Sequence, residues 1–186
     1  PFVGLRPYRS DEGHWFFGRD EQVKELLQKL HSSHFLAIVG SSGCGKSSLI
    51  RAGVIPKLKG GFLTVERDKW LIAIMRPSGD PLLHLANAIM EAVNKIEADI
   101  PKPDIELSKE IILDVGSIGV VEVIRTALTN SRFNLLILVD QFEELFTYEK
   151  SSHDIKKDNV GFVDLLLSLS ETRGLPVYSI ITMRSD

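Results

Sequence analysis

The sequence predicts an α/β fold in which a mostly parallel sheet lies between two layers of helices. Four short apolar runs alternate along the chain with segments whose apolar residues recur at helical spacing. Parallel strands need a crossover between them, so this alternation favours a parallel sheet. A glycine-rich loop beginning at Gly40 follows the first run, Asp140 follows the third, and Arg184 follows the fourth. Because ligands bind at the carboxyl ends of parallel strands, we expect these three positions to share one site.

The composition is that of a globular domain of 186 residues, with 44% hydrophobic and 25% charged residues. A net charge of −3 gives no global basic field and makes nucleic acid an unlikely partner. No apolar run approaches the roughly 20 residues of a membrane span. Residues 1–30 show no signal-peptide pattern, and the single cysteine, Cys44, excludes an intrachain disulfide. We therefore expect a cytoplasmic protein.

We expect one domain over residues 1–186, with a lead-in and N-terminal helix in residues 1–31 and a core in residues 35–186. The aromatic run at residues 15–17 is expected to cover an edge of the core. Apolar residues at helical spacing predict a helix over residues 20–31.

The core is predicted as an alternation of strands and helices. The expected strands are residues 35–39, 70–75, 135–139 and 176–183. The expected helices cover residues 46–58 and 159–171, with two more beginning at Pro81 and at Ser117. Pro56 and the following glycine pair are expected to end the 46–58 helix. Residues 98–116 are predicted to form a loop.

Residues 40–48 read Gly-Ser-Ser-Gly-Cys-Gly-Lys-Ser-Ser, between a predicted strand and a predicted helix. This is the setting in which the pattern G-x-x-x-x-G-K-[ST] binds phosphate, through backbone N–H groups and a helix N-terminus. Lys46 is suited to reach the β- and γ-phosphates, and the Ser47 hydroxyl is a hard oxygen ligand suited to Mg²⁺. The expected nucleotide-binding residues of this loop are Gly40, Ser41, Ser42, Gly43, Cys44, Gly45, Lys46, Ser47 and Ser48.

Hydrolysis also requires a held divalent ion and a group that orients water. Asp140, at the tip of a strand, is expected to bind Mg²⁺ beside Ser47, either directly or as an outer-sphere partner. The alternative is an aspartate that caps the next turn. Glu143 and Glu144 are the candidates for activating water, with Glu144 slightly favoured. The alternative for this pair is two ordinary acids in the first turn of a helix.

Two arginines complete the candidate site. Arg184, just past the fourth strand, is expected to contact the γ-phosphate or to stabilise transition-state charge; the alternative is a surface arginine. Arg19, between Gly18 and the first helix, is a candidate for contact with nucleotide or with a neighbouring subunit, and the residues alone leave both open. The candidate catalytic residues are Glu144, Glu143, Lys46 and Arg184.

Six motifs spread over the chain carry a resemblance to a known family. They lie at residues 4–8, 16–21, 40–53, 76–82, 139–146 and 182–186, and the Asp-Gln-Phe-Glu-Glu run at 140–144 is among the most specific. Together they are similar to the novel STAND NTPase family, the signal-transduction ATPases with numerous domains. The resemblance implies a three-layer P-loop NTPase fold, with ATP and Mg²⁺ as cofactors.

The resemblance implies further properties. Such proteins are mostly bacterial multidomain switches in which ATP binding favours an assembled state and hydrolysis resets it. In related modules the Gly-Arg segment approaches the adenine and the arginine after the fourth strand approaches the γ-phosphate; these roles fall here on Arg19 and Arg184. The sequence shows no fifth strand, so we expect a core truncated after the fourth strand, as a fragment of a larger protein. Self-association and other domains, such as WD-repeat sensors, are the expected partners.

The favoured function is Mg-ATP binding and hydrolysis by the regulatory switch module of a multidomain signalling ATPase. The alternative is a nucleotide-gated oligomerisation scaffold with little intrinsic hydrolysis. A small-molecule kinase is disfavoured because no arginine-rich lid or second acidic site is visible. A DNA-linked ATPase is disfavoured by the net charge, and the lack of an N-K-x-D run after Asp140 weakens GTP as the nucleotide.

Overall fold

The computed structural model describes residues 6–61, 67–94, 117–129, 131–147, 153–172 and 174–186. The loop predicted for residues 98–116 lies outside these residues. Within them, four parallel strands form one sheet in the order β1-β4-β3-β2. The strands are β1 (Phe35–Gly40), β2 (Lys69–Met75), β3 (Phe133–Val139) and β4 (Val177–Arg184). The predicted parallel sheet is thereby confirmed.

Helices connect the strands in the predicted sequence. A 3₁₀ helix (Ser10–Trp15) precedes α1 (Asp20–Ser33), and α2 (residues 46–59) follows the glycine loop. The later helices are α3 (Pro81–Asn94), α4 (Ser117–Leu128), α5 (Glu144–Thr147) and α6 (His153–Glu171). Helix α6 begins six residues before the predicted start, because its first turns are mostly polar and carry no apolar period. No helix in the described residues combines the length and apolar character needed to cross a bilayer.

The sheet separates two apolar cores, which confirms the three-layer arrangement. On one face, α1 and α2 pack against Trp70, Leu136 and Tyr178. On the other face, α3, α4 and α6 pack against strand residues of alternate positions, such as Leu135 and Ile137. Because successive strand residues point to opposite faces, the continuous apolar runs serve both cores.

Helix α2 runs through Pro56 to residue 59, one residue beyond the predicted end at residue 58. It consists of an α-helical turn (Lys46–Ser48), a π-helical stretch (Leu49–Val54) and a final α-helical turn (Ile55–Lys59). In a regular α-helix the proline ring would clash with the carbonyl group of Ala52, and the wider π turns accommodate it. Gly13 of the 3₁₀ helix packs against this same carbonyl, where an added Cβ would lie 2.9 Å from the oxygen.

The aromatic run was predicted to cover the core, but only its middle residue does so. Phe16 packs against the core of α1 and α2. Trp15 and Phe17 are 50% and 78% exposed. The backbone is extended at Phe16, so consecutive side chains cannot share one face.

Close packing of α1 on α2 requires a glycine at residue 53. A Cβ there would lie 2.6 Å from Cγ2 of Val23, a stiff β-branched side chain. We expect Gly53→Ala to lower the free energy of unfolding by about 1–3 kcal/mol, because overpacking exceeds the gain in helix propensity. Urea denaturation followed by circular dichroism measures this change.

Gly161 in α6 provides the matched control, because nothing lies within 4 Å of its added Cβ. There the same substitution should stabilise the protein by up to about 1 kcal/mol through helix propensity alone. Equal effects at the two positions would contradict the packing explanation.

Candidate active site

A cleft of about 550 Å³ lies at the carboxyl ends of all four strands. This is within the usual volume of a small-ligand pocket. Its lining comes from the glycine loop after β1, from residues directly after β2 and β3, from the end of β4, and from lead-in residues 6–8. The structure therefore brings together the three strand-end positions that the sequence grouped.

The glycine loop has the backbone conformation of a phosphate cradle. Gly43 and Gly45 have φ angles of 75° and 89°, which side chains of L-residues rarely adopt. Helix α2 begins directly after Gly45, so its unpaired N–H groups face the cleft. Lys46 extends along the loop, and its Nζ donates to the carbonyl oxygens of Gly40 (2.6 Å) and Ser41 (2.8 Å).

The Asp140 carboxylate is the buried centre of the site, with 1% of the residue exposed. Its Oδ1 accepts hydrogen bonds from Ser47 Oγ and from Thr182 Oγ1, both at 2.7 Å. Its Oδ2 pairs with Nη2 of Arg51 at 3.0 Å. Burial works to raise the pKa of Asp140, but the hydrogen bonds from Ser47, Thr182 and Arg51 outweigh it and hold the pKa below its usual value. Asp140 is therefore an oriented anion linked to the phosphate loop.

Backbone hydrogen bonds to both neighbouring strands fix the turn after β3. The N–H of Asp140 donates to the Met75 carbonyl at the end of β2 (2.9 Å). The N–H of Gln141 donates to Thr182 Oγ1 in β4 (3.1 Å), and Gln141 itself has a left-handed φ of 61°. This sharp turn aims the next residues back over the ends of β3 and β4.

The turn places the two glutamates differently. Glu143 lines the cleft, and its Oε2 accepts a hydrogen bond from the Arg184 N–H at 3.2 Å. Glu144 is the first residue of α5 and does not belong to the described lining of the cleft. The geometry therefore favours Glu143 as the carboxylate that meets a ligand, whereas the sequence slightly favoured Glu144.

The two predicted arginines lie in different clefts. Arg184 lines the main cleft and pairs with Asp186 at 3.3 Å. Arg19 donates to Gln22 Oε1 at 2.9 Å and lines a second cleft of about 230 Å³ beside Phe16 and Phe17. Among the described residues, Arg19 is not part of the main cleft's lining.

Several residues that line the cleft or contact Asp140 were not predicted from the sequence. Arg51 follows Ser47 by four residues, so helical spacing alone places both on one face of α2. Thr182 precedes Arg184 by two residues, so strand alternation places both on one face of β4. These two spacings were available signals. Arg6, Tyr8 and Arg76 lie in the motifs at residues 4–8 and 76–82 that carry the family resemblance, but no role was predicted for them.

The lead-in closes one end of the cleft. The Tyr8 N–H donates to Ser48 Oγ at 3.2 Å, which ties the lead-in to α2. Arg6 forms an ion pair with Glu12 at 2.6 Å, and this hydrogen bond lowers the pKa of Glu12 to about 2. The lead-in thereby presents Arg6, Pro7 and Tyr8 to the cleft beside the loop.

The donor set suits Mg²⁺ bound together with a polyphosphate. The described residues contain no cluster of three His, Cys, Asp or Glu side chains able to hold a metal. Mg²⁺ favours sites with few protein ligands, completed by substrate phosphates and water. The hydroxyl of Ser47, held by Asp140, meets that requirement beside a backbone shaped for phosphate.

Comparisons with known proteins show the family and the fold of the chain. The family model Novel STAND NTPase 1 matches residues 1–186. A curated relative, the nitrate import ATP-binding protein NrtC of Synechocystis sp., is 30% identical over 99 residues, which cover 48% of this chain and 14% of the relative. The Aeropyrum pernix ORC2 protein, solved in ADPNP-ADP complexes, superposes with a TM-score of 0.53 at 17% identity, covering 92% of this chain and 42% of that one. The chain thus spans less than half the length of either protein.

Proposed function

The chain belongs to the Novel STAND NTPase 1 family and is a P-loop NTPase module, and from this premise we propose that it binds and hydrolyses Mg-ATP as the regulatory switch of a larger signalling protein. ATP is the proposed nucleotide because NrtC is named an ATP-binding protein and the ORC2 structure contains adenine nucleotides. The sequence lacks the N-K-x-D run that reads guanine.

The observation that carries the proposal is the hydrogen bond from Ser47 Oγ to Asp140 Oδ1. It joins the first turn after the phosphate loop to the end of β3, 93 residues further along the chain. An aspartate that only capped its own turn would accept hydrogen bonds from that turn and would not need to contact the Ser47 hydroxyl. With its proton donated to Asp140, the Ser47 oxygen keeps its lone pairs for a cation.

The other cleft residues divide the remaining work. The glycine loop and Lys46 hold the β- and γ-phosphates, and Arg184 adds positive charge beside the terminal phosphate. Mg²⁺, when bound, supplies charge neutralisation on the phosphate oxygens. Glu143, oriented by the Arg184 N–H, aligns water and accepts its proton.

The switch role rests on family membership. In this proposal, ATP and ADP states differ in the contacts that Arg184 and Glu143 make, and those contacts change self-association or the position of other domains, such as WD-repeat sensors. A ligand shifts such an equilibrium only through different affinities for the two states.

The test is phosphate release from ATP at graded Mg²⁺ concentrations. We expect the wild type to require Mg²⁺, and Ser47→Ala to lower release by about 10- to 100-fold at fixed Mg²⁺ through the loss of one metal contact. Ser32→Ala is the matched control, because Ser32 is exposed on α1 and donates only to the Lys29 carbonyl.

The outcomes separate the candidate functions. Ser47→Ala with the Mg²⁺ response of the wild type would contradict the metal role. A wild type that binds Mg-ATP tightly and releases no phosphate would instead favour the oligomerisation scaffold.

A further inference from the structure

The cleft extends beyond the residues assigned above, to the end of β2. Arg76, the first residue after β2, lines it together with Lys46, Glu143 and Arg184. In the sheet order β1-β4-β3-β2, the strands β4 and β2 flank β3. Arg184 and Arg76 therefore approach the Asp140–Glu143 turn from opposite sides.

Arg76 differs from the other cations of the cleft in its partners. Among the described residues, four cationic side chains and two carboxylates line the cleft: Arg6, Lys46, Arg76 and Arg184 against Asp140 and Glu143. Arg6 pairs with Glu12, Arg184 pairs with Asp186, and Lys46 donates to two carbonyl groups. Within the described residues, the Arg76 guanidinium has no hydrogen-bond or ion-pair partner, although its residue is exposed to the cleft.

The backbone holds Arg76 in place although its side chain has no partner in the part of the chain that the structure describes. The following residue, Pro77, is buried, and a residue before proline is restricted to extended conformations. The Arg76 carbonyl lies 3.3 Å from Nδ1 of His84 in α3. The preceding carbonyl, of Met75, accepts the N–H of Asp140. The backbone of Arg76 is thus held by His84 and lies next to Met75, whose carbonyl group accepts the Asp140 N–H.

The spacing of the strands and the length of the Arg76 side chain allow a contact with the terminal phosphate. Neighbouring strands lie about 4.8 Å apart, so the start of the Arg76 side chain lies one strand spacing from the end of β3. An extended arginine side chain spans more than that spacing, and its planar guanidinium can bind two phosphate oxygens at once. In the proposed function the lysine and the glycine loop hold the phosphate chain from the β1 side, which would direct the terminal phosphate toward β4, β3 and β2.

We propose that Arg76 binds the terminal phosphate of the nucleoside triphosphate and thereby distinguishes it from the diphosphate. This inference rests on the proposed function, since it assigns a residue to the same nucleotide site. Arg76 supplies a positive charge to the terminal phosphate from the β2 side, opposite Arg184. A residue of this kind raises affinity for ATP and leaves affinity for ADP unchanged, because ADP lacks the group that it contacts.

The test is calorimetric binding of Mg²⁺ with ADPNP and with ADP to the wild type, Arg76→Ala and Arg76→Lys. We expect Arg76→Ala to weaken ADPNP binding about tenfold, the loss of one charge-assisted contact, with ADP binding unchanged. Arg76→Lys should recover part of the loss. Arg125→Ala, which removes an exposed arginine of α4 outside the cleft, should match the wild type for both ligands.

Two results would overturn the inference. Equal weakening of ADPNP and ADP binding would place Arg76 on a part of the nucleotide that both ligands share. Unchanged ADPNP binding in Arg76→Ala would show that Arg76 does not contact the nucleotide. Failure of the wild type to bind either nucleotide would instead contradict the proposed function itself, so the two failures are distinguishable.

Discussion

Replacing Lys46 by alanine is expected to weaken ATP binding by at least about 100-fold, because two charge-assisted contacts to the β- and γ-phosphates are lost. The Nζ group has no carboxylate partner among the described residues; it donates to the carbonyls of Gly40 and Ser41. The positive charge of Lys46 is therefore not neutralised by a carboxylate of the described residues and can interact with a bound phosphate. Equilibrium binding of a fluorescent ATP analogue measures the effect.

Lys59→Ala is the matched control, because it removes an exposed lysine from the last turn of the same helix. It should bind ATP as the wild type does. Thermal unfolding should show both variants folded, since the Lys46 contacts lie on a partly exposed loop. Tight ATP binding by folded Lys46→Ala would contradict the assignment of the loop as the phosphate cradle.

Glu143→Gln is expected to lower ATP hydrolysis by about 10²–10³-fold while leaving ATP binding nearly intact. The amide keeps the size of the side chain, and its oxygen can still accept the Arg184 N–H, but it cannot accept a proton from water. The single-turnover rate of hydrolysis and the affinity for ATP, measured on the same preparation, separate the effect on hydrolysis from the effect on binding.

Glu144→Gln is the neighbouring control. Glu144 starts α5 outside the described lining of the cleft, so its substitution should change turnover by less than about threefold, an effect of under 1 kcal/mol. The opposite ranking of the two variants would assign the base to Glu144 and would contradict the geometry of the turn after β3.

The sequence predicted the parts of the fold that depend on local pattern. The runs at 35–39 and 135–139 became strands of one sheet with helices on both faces, because continuous apolar strands must be covered on both faces. The glycine loop was predictable because its φ angles demand glycine at residues 43 and 45. The end of α2 was predicted to within one residue, but its π turns were not predicted, because they have no sequence pattern of their own.

The site was predictable only in part. The sequence placed Gly40, Asp140 and Arg184 at the ends of three parallel strands, and in the structure these ends lie at one edge of the sheet, where Asp140 and Arg184 line the cleft. The choice between Glu143 and Glu144 depends on a left-handed turn at Gln141, a conformation that the sequence does not indicate for a residue other than glycine. The pairing of Arg51 with Asp140 and the place of Arg76 in the cleft depend on the order of the strands, which local pattern does not determine. The roles of these residues, and of Arg19, stay predictions.

The most direct test of the central claim is single-turnover hydrolysis, with the protein in excess over radiolabelled ATP and with or without Mg²⁺. A Mg-ATP hydrolysis centre built from Lys46, Ser47, Asp140 and Glu143 predicts conversion of bound ATP to ADP and phosphate only when Mg²⁺ is present, and loss of that conversion in Glu143→Gln. ATP that stays intact on the wild type in Mg²⁺, for as long as it does on Glu143→Gln, would contradict that claim.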